Sequence, residues 1–128
     1  MNAKQAKILL VEDDLFLRDL YVSKLKKEGF ENILVAGNGE EGFDLISKNI
    51  PDLVLLDIIL PQMSGFDVLE KTKKEDRLSH IPVILLTNLG QKEDVEKGYK
   101  LGADDYIIKA NFTPQQVVEK IDKVLTGK

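Results

Sequence analysis

The chain has 128 residues, which fits one domain with a buried core of its own and leaves little room for a second. Its 43% hydrophobic and 31% charged residues suit a globular chain, and no apolar stretch approaches the roughly 20 residues of a membrane helix, so membrane insertion is not expected. The absence of cysteine excludes disulfides and thiolate metal sites and suggests the cytoplasm, while a net charge of -4 gives no support for direct nucleic-acid binding.

The start, Met1 to Lys7, is polar and lacks the apolar run of a signal peptide. Ile8-Leu9-Leu10-Val11 then reads as a buried strand. Leu15 to Glu28 follows with helix spacing at Leu17, Leu20, Tyr21 and Leu25, and Gly29 is a plausible stop. Ile33 to Ala36 is a second strand. The helix after it, Glu40 to Asn49, carries Phe43, Leu45 and Ile46, and Gly42 inside it costs about 1 kcal/mol relative to alanine. Leu53 to Asp57 and a helix from Gly65 to Lys74 form the third unit, with Phe66 and Leu69 on one helix face. Val83 to Thr87 and a helix from Glu93 to Leu101 form the fourth. The fifth strand is Tyr106 to Ile108. In the last helix Thr113 caps, Pro114 takes the first helical position and Gln116 completes a capping box. Val117, Val118, Ile121, Val124 and Leu125 mark its buried face, and Thr126-Gly127-Lys128 reads as a fraying tail.

Continuous apolar strands alternating with helices imply an α/β fold: a doubly wound parallel sheet with helices on both faces, as a single domain over residues 1–128. In such a sheet, ligands bind beyond the carboxyl ends of the strands. The first strand ends in Glu12-Asp13-Asp14, the third in Asp57, the fourth in Thr87, and Lys109 follows the fifth. The second ends in Ala36-Gly37 with no ionisable group, which places it at the sheet edge. Carboxylates, a hydroxyl and an ammonium are therefore expected to converge on one shallow site. Close carboxylates repel, which raises pKa values or draws in a cation, and an all-oxygen set favours Mg²⁺. A carboxylate can act as nucleophile when the group it attacks is neutralised, so the set suits an aspartyl-phosphate site.

With Asp57-Ile58-Ile59-Leu60-Pro61, Ser64-Gly65-Phe66, Thr87, and Gly102-Ala103-Asp104-Asp105-Tyr106 leading to Lys109, the chain resembles the receiver domain of response regulators over nearly its whole length. The resemblance implies a flavodoxin-like strand order of 2-1-3-4-5. It implies a switch in two-component signalling, not an enzyme in the ordinary sense, with Asp57 as the phosphoacceptor for a histidine kinase or phosphotransfer protein. Asp13 is implied as a direct Mg²⁺ ligand, Glu12 as a ligand acting through metal-bound water, and the backbone carbonyl of Ile59 as a further ligand. Thr87 and Lys109 resemble the phosphate-sensing pair, and Tyr106 the aromatic that turns inward on activation. A downstream protein partner is implied on the face of the fourth helix, fifth strand and fifth helix, with the chain a monomer or a phosphorylation-dependent dimer. Asp14 lies one residue past the usual acid pair and suits a helix N-cap.

The sequence departs from the family pattern at three places. Ala110 stands where a proline usually follows the lysine, so either a trans peptide with a rearranged loop or a strained cis bond is expected, with Lys109 disturbed. Asn88 stands where a small residue is more common, and would crowd or bond to the phosphoryl pocket. Ile59 has no polar group to orient an attacking water, so self-dephosphorylation is expected to be slow. Two other readings stay open. One is an Asp-nucleophile phosphatase or phosphotransferase, against which Ile59 counts because haloacid-dehalogenase-like enzymes place an acid there. The other is a receiver-like docking module that is not phosphorylated. His80 reads as an exposed loop residue, and Lys71, Lys73 and Lys74 as a solvated helix end.

Overall fold

A computed structural model describes residues 3–127. Its strands are β1 (Lys7–Val11), β2 (Asn32–Ala36), β3 (Leu53–Leu56), β4 (Val83–Thr87) and β5 (Asp105–Ile108). They form one parallel sheet in the order β2-β1-β3-β4-β5. The helices are α1 (Leu15–Lys27), α2 (Gly39–Asn49), α3 (Gly65–Lys74), α4 (Lys92–Lys100) and α5 (Pro114–Thr126). Side chains alternate across each strand, so the sheet buries two cores. Leu9, Val11, Val54, Leu56 and Leu85 face α2 and α3, packing with Ile46, Val68 and Leu69. Ile8, Leu10, Leu53, Leu55 and Ile84 face α1 and α5, packing with Tyr21, Leu25, Val117 and Ile121. β1, β3 and β4 lie inside the sheet and are apolar apart from Lys7 at the start of β1 and Thr87 at the end of β4. β2 lies at the edge, where Val35 is exposed.

Local chemistry sets the ends of the elements. Asp14 caps α1 by accepting from the Leu17 N–H, as its position suggested. The Thr113–Gln116 capping box with Pro114 opens α5 as expected. Gly42 lets α2 lie close on β1: a Cβ there would sit 3.0 Å from both Val11 γ-carbons, a tight contact. Met1, Asn2 and Lys128 lie outside the described residues. Thr126 is the last residue of α5, not part of a frayed tail, and its hydroxyl donates to the Asp122 carbonyl at 2.8 Å.

Leu20, which shares the helix spacing of Leu17, Tyr21 and Leu25, is exposed; Tyr21 and Leu25 carry the buried face. One expectation about surfaces needs correction. Lys73 does not belong to a solvated helix end. Its ammonium donates to the Ile81 carbonyl at 2.6 Å and the Ser79 carbonyl at 3.2 Å, and pairs with Asp104 at 3.4 Å. The loop between α3 and β4 curls back over the helix end and supplies these oxygens. His80 is exposed, as expected.

Candidate phosphoacceptor site

The strand register brings the site together. Val11 lies beside Leu56, and Leu56 beside Leu85. The residues that follow β1 and β3 therefore leave the sheet at one level. The Asp57 N–H continues the ladder to the Val11 carbonyl at 3.1 Å, and the Glu12 N–H does so to the Ala36 carbonyl at 3.0 Å. Asp57 is buried, and its two carboxylate oxygens have different partners. Oδ1 accepts from the Ile58 N–H at 2.7 Å and from the Ile59 N–H at 3.4 Å. Oδ2 accepts from Lys109 Nζ at 2.8 Å. The carboxylate is thus fixed in orientation before any ligand arrives.

Lys109 also donates to Glu12 Oε1. Glu12 is buried, and its Oε2 accepts from the Asp14 N–H at 3.1 Å. Asp13 is exposed beside them. One carboxylate oxygen from each of Glu12, Asp13 and Asp57 lies within 4.8 Å of the others. Three hard oxygen donors this close, with a single ammonium against them, fit a Mg²⁺ ion better than a softer metal. Burial is the main force raising the Glu12 carboxyl above its ordinary pKa; Lys109 opposes it and the Asp57 charge adds to it. Burial alone would lower the Lys109 ammonium, but hydrogen bonds and charge from Asp57 and Glu12 outweigh it and leave the pKa raised.

The structure thus brings Glu12, Asp13, Asp57 and Lys109 together. Of the two forms expected after Lys109 the structure has the trans peptide, and the ammonium keeps its place. Among the described residues no peptide bond is cis, Lys109–Asn111 winds into a short 3₁₀ turn, and the ammonium still reaches both acids. Thr87 lies at the end of β4, fully buried, with its hydroxyl accepting from the Leu89 N–H at 3.4 Å. Tyr106 is half-buried, and its hydroxyl donates to the Leu89 carbonyl at 2.6 Å. Asn88 is exposed. Ile59 is 63% exposed on the rim. Sequence reasoning missed two features. Leu15 and Phe16 stand 61% and 76% exposed where α1 leaves the acids; their place outside the Tyr21–Leu25 stripe was the available signal. Leu89 links Thr87 to Tyr106 through its backbone, which no side-chain pattern reveals.

Fold and rim together define a class: a doubly wound α/β domain whose strand ends carry an acid cluster crossed by one lysine. A family model described as the response regulator receiver domain matches residues 8–122. The chain belongs to this family, whose members serve two-component signalling. It is 37% identical over 125 residues to a probable transcriptional regulator, ycf27, of Porphyra purpurea, covering 98% of this chain and 49% of that protein. It is 35% identical over 120 residues to the chemotaxis protein CheY1 of Helicobacter pylori, covering 93% of this chain and 96% of that one. A CheY-like receiver domain from Methanospirillum hungatei JF-1 superposes with a TM-score of 0.88 at 32% identity, covering 96% of this chain and 95% of the other. The chain therefore spans about half the length of the ycf27 regulators and nearly all of the chemotaxis protein. These relatives favour a signalling protein over a phosphatase-like enzyme.

Proposed function

We propose that residues 1–128 act as one receiver domain in which Asp57 accepts a phosphoryl group from a phosphohistidine of a histidine kinase or phosphotransfer protein. An Asp57 carboxylate oxygen forms the new P–O bond while the P–N bond to the donor imidazole breaks, and the imidazole keeps the electron pair. The observation that carries this reading is the shared hold on Asp57, with two backbone N–H groups on one oxygen and Lys109 on the other. That hold presents the nucleophile in one orientation at no further ordering cost.

Glu12, Asp13 and Asp57 would hold Mg²⁺, with the Ile59 carbonyl as a further ligand. The ion, when bound, supplies neutralising charge for the incoming phosphoryl oxygens. Lys109 follows the phosphoryl group by pairing with one of its oxygens, and the Thr87 hydroxyl donates to another. Both movements release groups that are tied down in the unphosphorylated protein. Thr87 lets go of Leu89, and the Tyr106 ring follows. The switched surface is the face of α4, β5 and α5, offered to a downstream protein partner, with phosphorylation-dependent pairing of two copies as one outcome. Leu15, Phe16 and Ile59, exposed just after the acids of the first and third strands, offer the donor protein apolar side chains to sit on. The proposed setting is the cytoplasm.

Incubation with acetyl phosphate and Mg²⁺, followed by intact-mass measurement, tests the reading. Wild type should gain one phosphoryl mass, and Asp57→Asn none. Equal labelling of both would refute it.

A further inference from the structure

Away from the acid rim, α2 and α3 leave a groove of about 660 Å³ between them, lined in part by Glu40, Glu41, Phe43, Asp44, Met63 and Lys71. Phe43 and Met63 are partly buried and pack on the core, so they form a fixed apolar floor. Glu40, Glu41 and Asp44 stand exposed along the α2 wall. Glu41 accepts from the Gly37 N–H at 3.3 Å, and Asp44 pairs with exposed Lys48 at 3.1 Å. Glu40 has no ion-pair partner among the described residues. Lys71 faces this wall, its ammonium 5.4 Å from the Phe43 ring centroid. The aromatic floor thus already carries a cation, and it is the protein's own.

The groove has a rigid lip. Gln62 and Met63 lie in the loop that starts at Asp57, and Gln62 adopts a left-handed φ of 74°. The Gly39 N–H donates to the Pro61 carbonyl at 3.1 Å, and a Cβ at Gly39 would lie 1.8 Å from the Met63 carbonyl oxygen. The start of α2 and this loop are therefore in backbone contact.

We propose that the groove between α2 and α3 docks an arginine-bearing segment of a partner protein. The charge on its walls selects the occupant: Lys48 already answers Asp44, and Glu40 and Glu41 together outweigh the ammonium of Lys71, which favours a cation over an anion. The floor selects arginine, whose planar guanidinium stacks on an aromatic face while its aliphatic stem covers apolar surface. The incoming guanidinium takes the place of Lys71 over Phe43, and Glu40 pairs with it, with Asp44 joining by exchanging Lys48 for the newcomer.

The test is a titration of the ¹⁵N-labelled full chain with a short amidated Arg-Leu repeat peptide and with its Glu-Leu counterpart. Saturating Mg²⁺ keeps the peptide off the acids of the rim. The Arg-Leu peptide should give saturable amide shifts centred on Phe43, Asp44, Ser47, Met63 and Lys71, and the Glu-Leu peptide none. The double variant Glu40→Lys, Asp44→Lys, with unchanged far-ultraviolet circular dichroism, should weaken binding by roughly tenfold. Phe43→Leu, which keeps an apolar floor, should weaken it too. Shifts spread over the surface, equal binding of the Glu-Leu peptide, or unchanged affinity in the double variant would overturn the proposal. Concentration-dependent groove shifts without peptide would overturn it as well, by assigning the groove to a second copy of the chain.

Discussion

The Tyr106 hydroxyl donates to the main-chain carbonyl of Leu89 at 2.6 Å, tying β5 to the loop that leaves β4. The other side of the same residue, its N–H, is accepted by the Thr87 hydroxyl at 3.4 Å. Leu89 is thus held between two side chains that the proposed switch moves. Gly98 on α4 makes room for the ring, since a Cβ there would lie 3.0 Å from Tyr106 Cδ2. Thr87→Val keeps the shape and removes the acceptor. It should cost about 1–2 kcal/mol, because the Leu89 N–H loses its partner. Phosphoryl incorporation by intact mass should continue, while the shift of the Tyr106 ring resonances on phosphorylation shrinks. An undiminished ring response in Thr87→Val would separate the two residues.

Gly65 shapes the nucleophile from behind. A Cβ at this position would sit 2.0 Å from the Asp57 carbonyl oxygen and 2.7 Å from Ile58 Cα. Both atoms are backbone, so Gly65→Ala must displace the segment that orients Asp57. A loss of about 3 kcal/mol or more in urea unfolding is expected. At Gly127, with φ 74° and nothing within 4 Å of an added Cβ, alanine should cost only about 1 kcal/mol. Similar losses at both positions would contradict the close approach of Gly65 to Asp57.

Ile59 projects an apolar side chain at the mouth of the site. It offers no group to align a water for attack on a phosphoryl group at Asp57. Ile59→Asn should therefore shorten the phosphoryl half-life, on the order of several-fold for a gained positioning hydrogen bond. Decay followed by intact mass after removal of the donor provides the measurement. A half-life equal to or longer than that of wild type would count against this role.

Tyrosine should carry part of the pH response at the alkaline end, alongside Lys109, whose raised pKa acts in the same sense. The chain has three tyrosines. Burial is the largest cause raising each of them, and Tyr106 is pushed up to about 12. A phenol whose pKa is higher in the folded than in the unfolded state keeps its proton longer when folded. Its contribution to stability is complete below the unfolded value of about 10 and is lost as pH rises through the folded value. Tyrosinate absorbance of the folded protein should thus rise mainly above pH 10, and stability should fall between about pH 10 and 12. Tyr106→Phe should remove the latest step of the absorbance titration. A full tyrosine titration centred on the unfolded value would contradict the raised values of the three phenols.

The fold was largely legible because β1, β3 and β4 are apolar on both faces, and such runs fit an inner position in a parallel sheet. The polar residues at their ends were legible for the same reason: in this architecture those ends form the rim. Glu12, Asp13, Asp57 and Lys109 could be grouped on that basis, and the structure brings them together. The behaviour of Lys109 was not legible. Ala110 removes the proline of the family pattern, and only the folded loop reveals that a short turn still delivers the ammonium to both acids. Lys73 was misread because its partners are mainly backbone carbonyls, which carry no mark in the sequence. The Leu89 bridge was invisible for the same reason.

Locating the modified residue tests the central claim most directly. After treatment with acetyl phosphate and Mg²⁺, borohydride reduces an aspartyl phosphate to homoserine, and tandem mass spectrometry reads its position. The account predicts homoserine at position 57 and at no other aspartate. Homoserine at Asp13 or Asp14 with position 57 unchanged would contradict it.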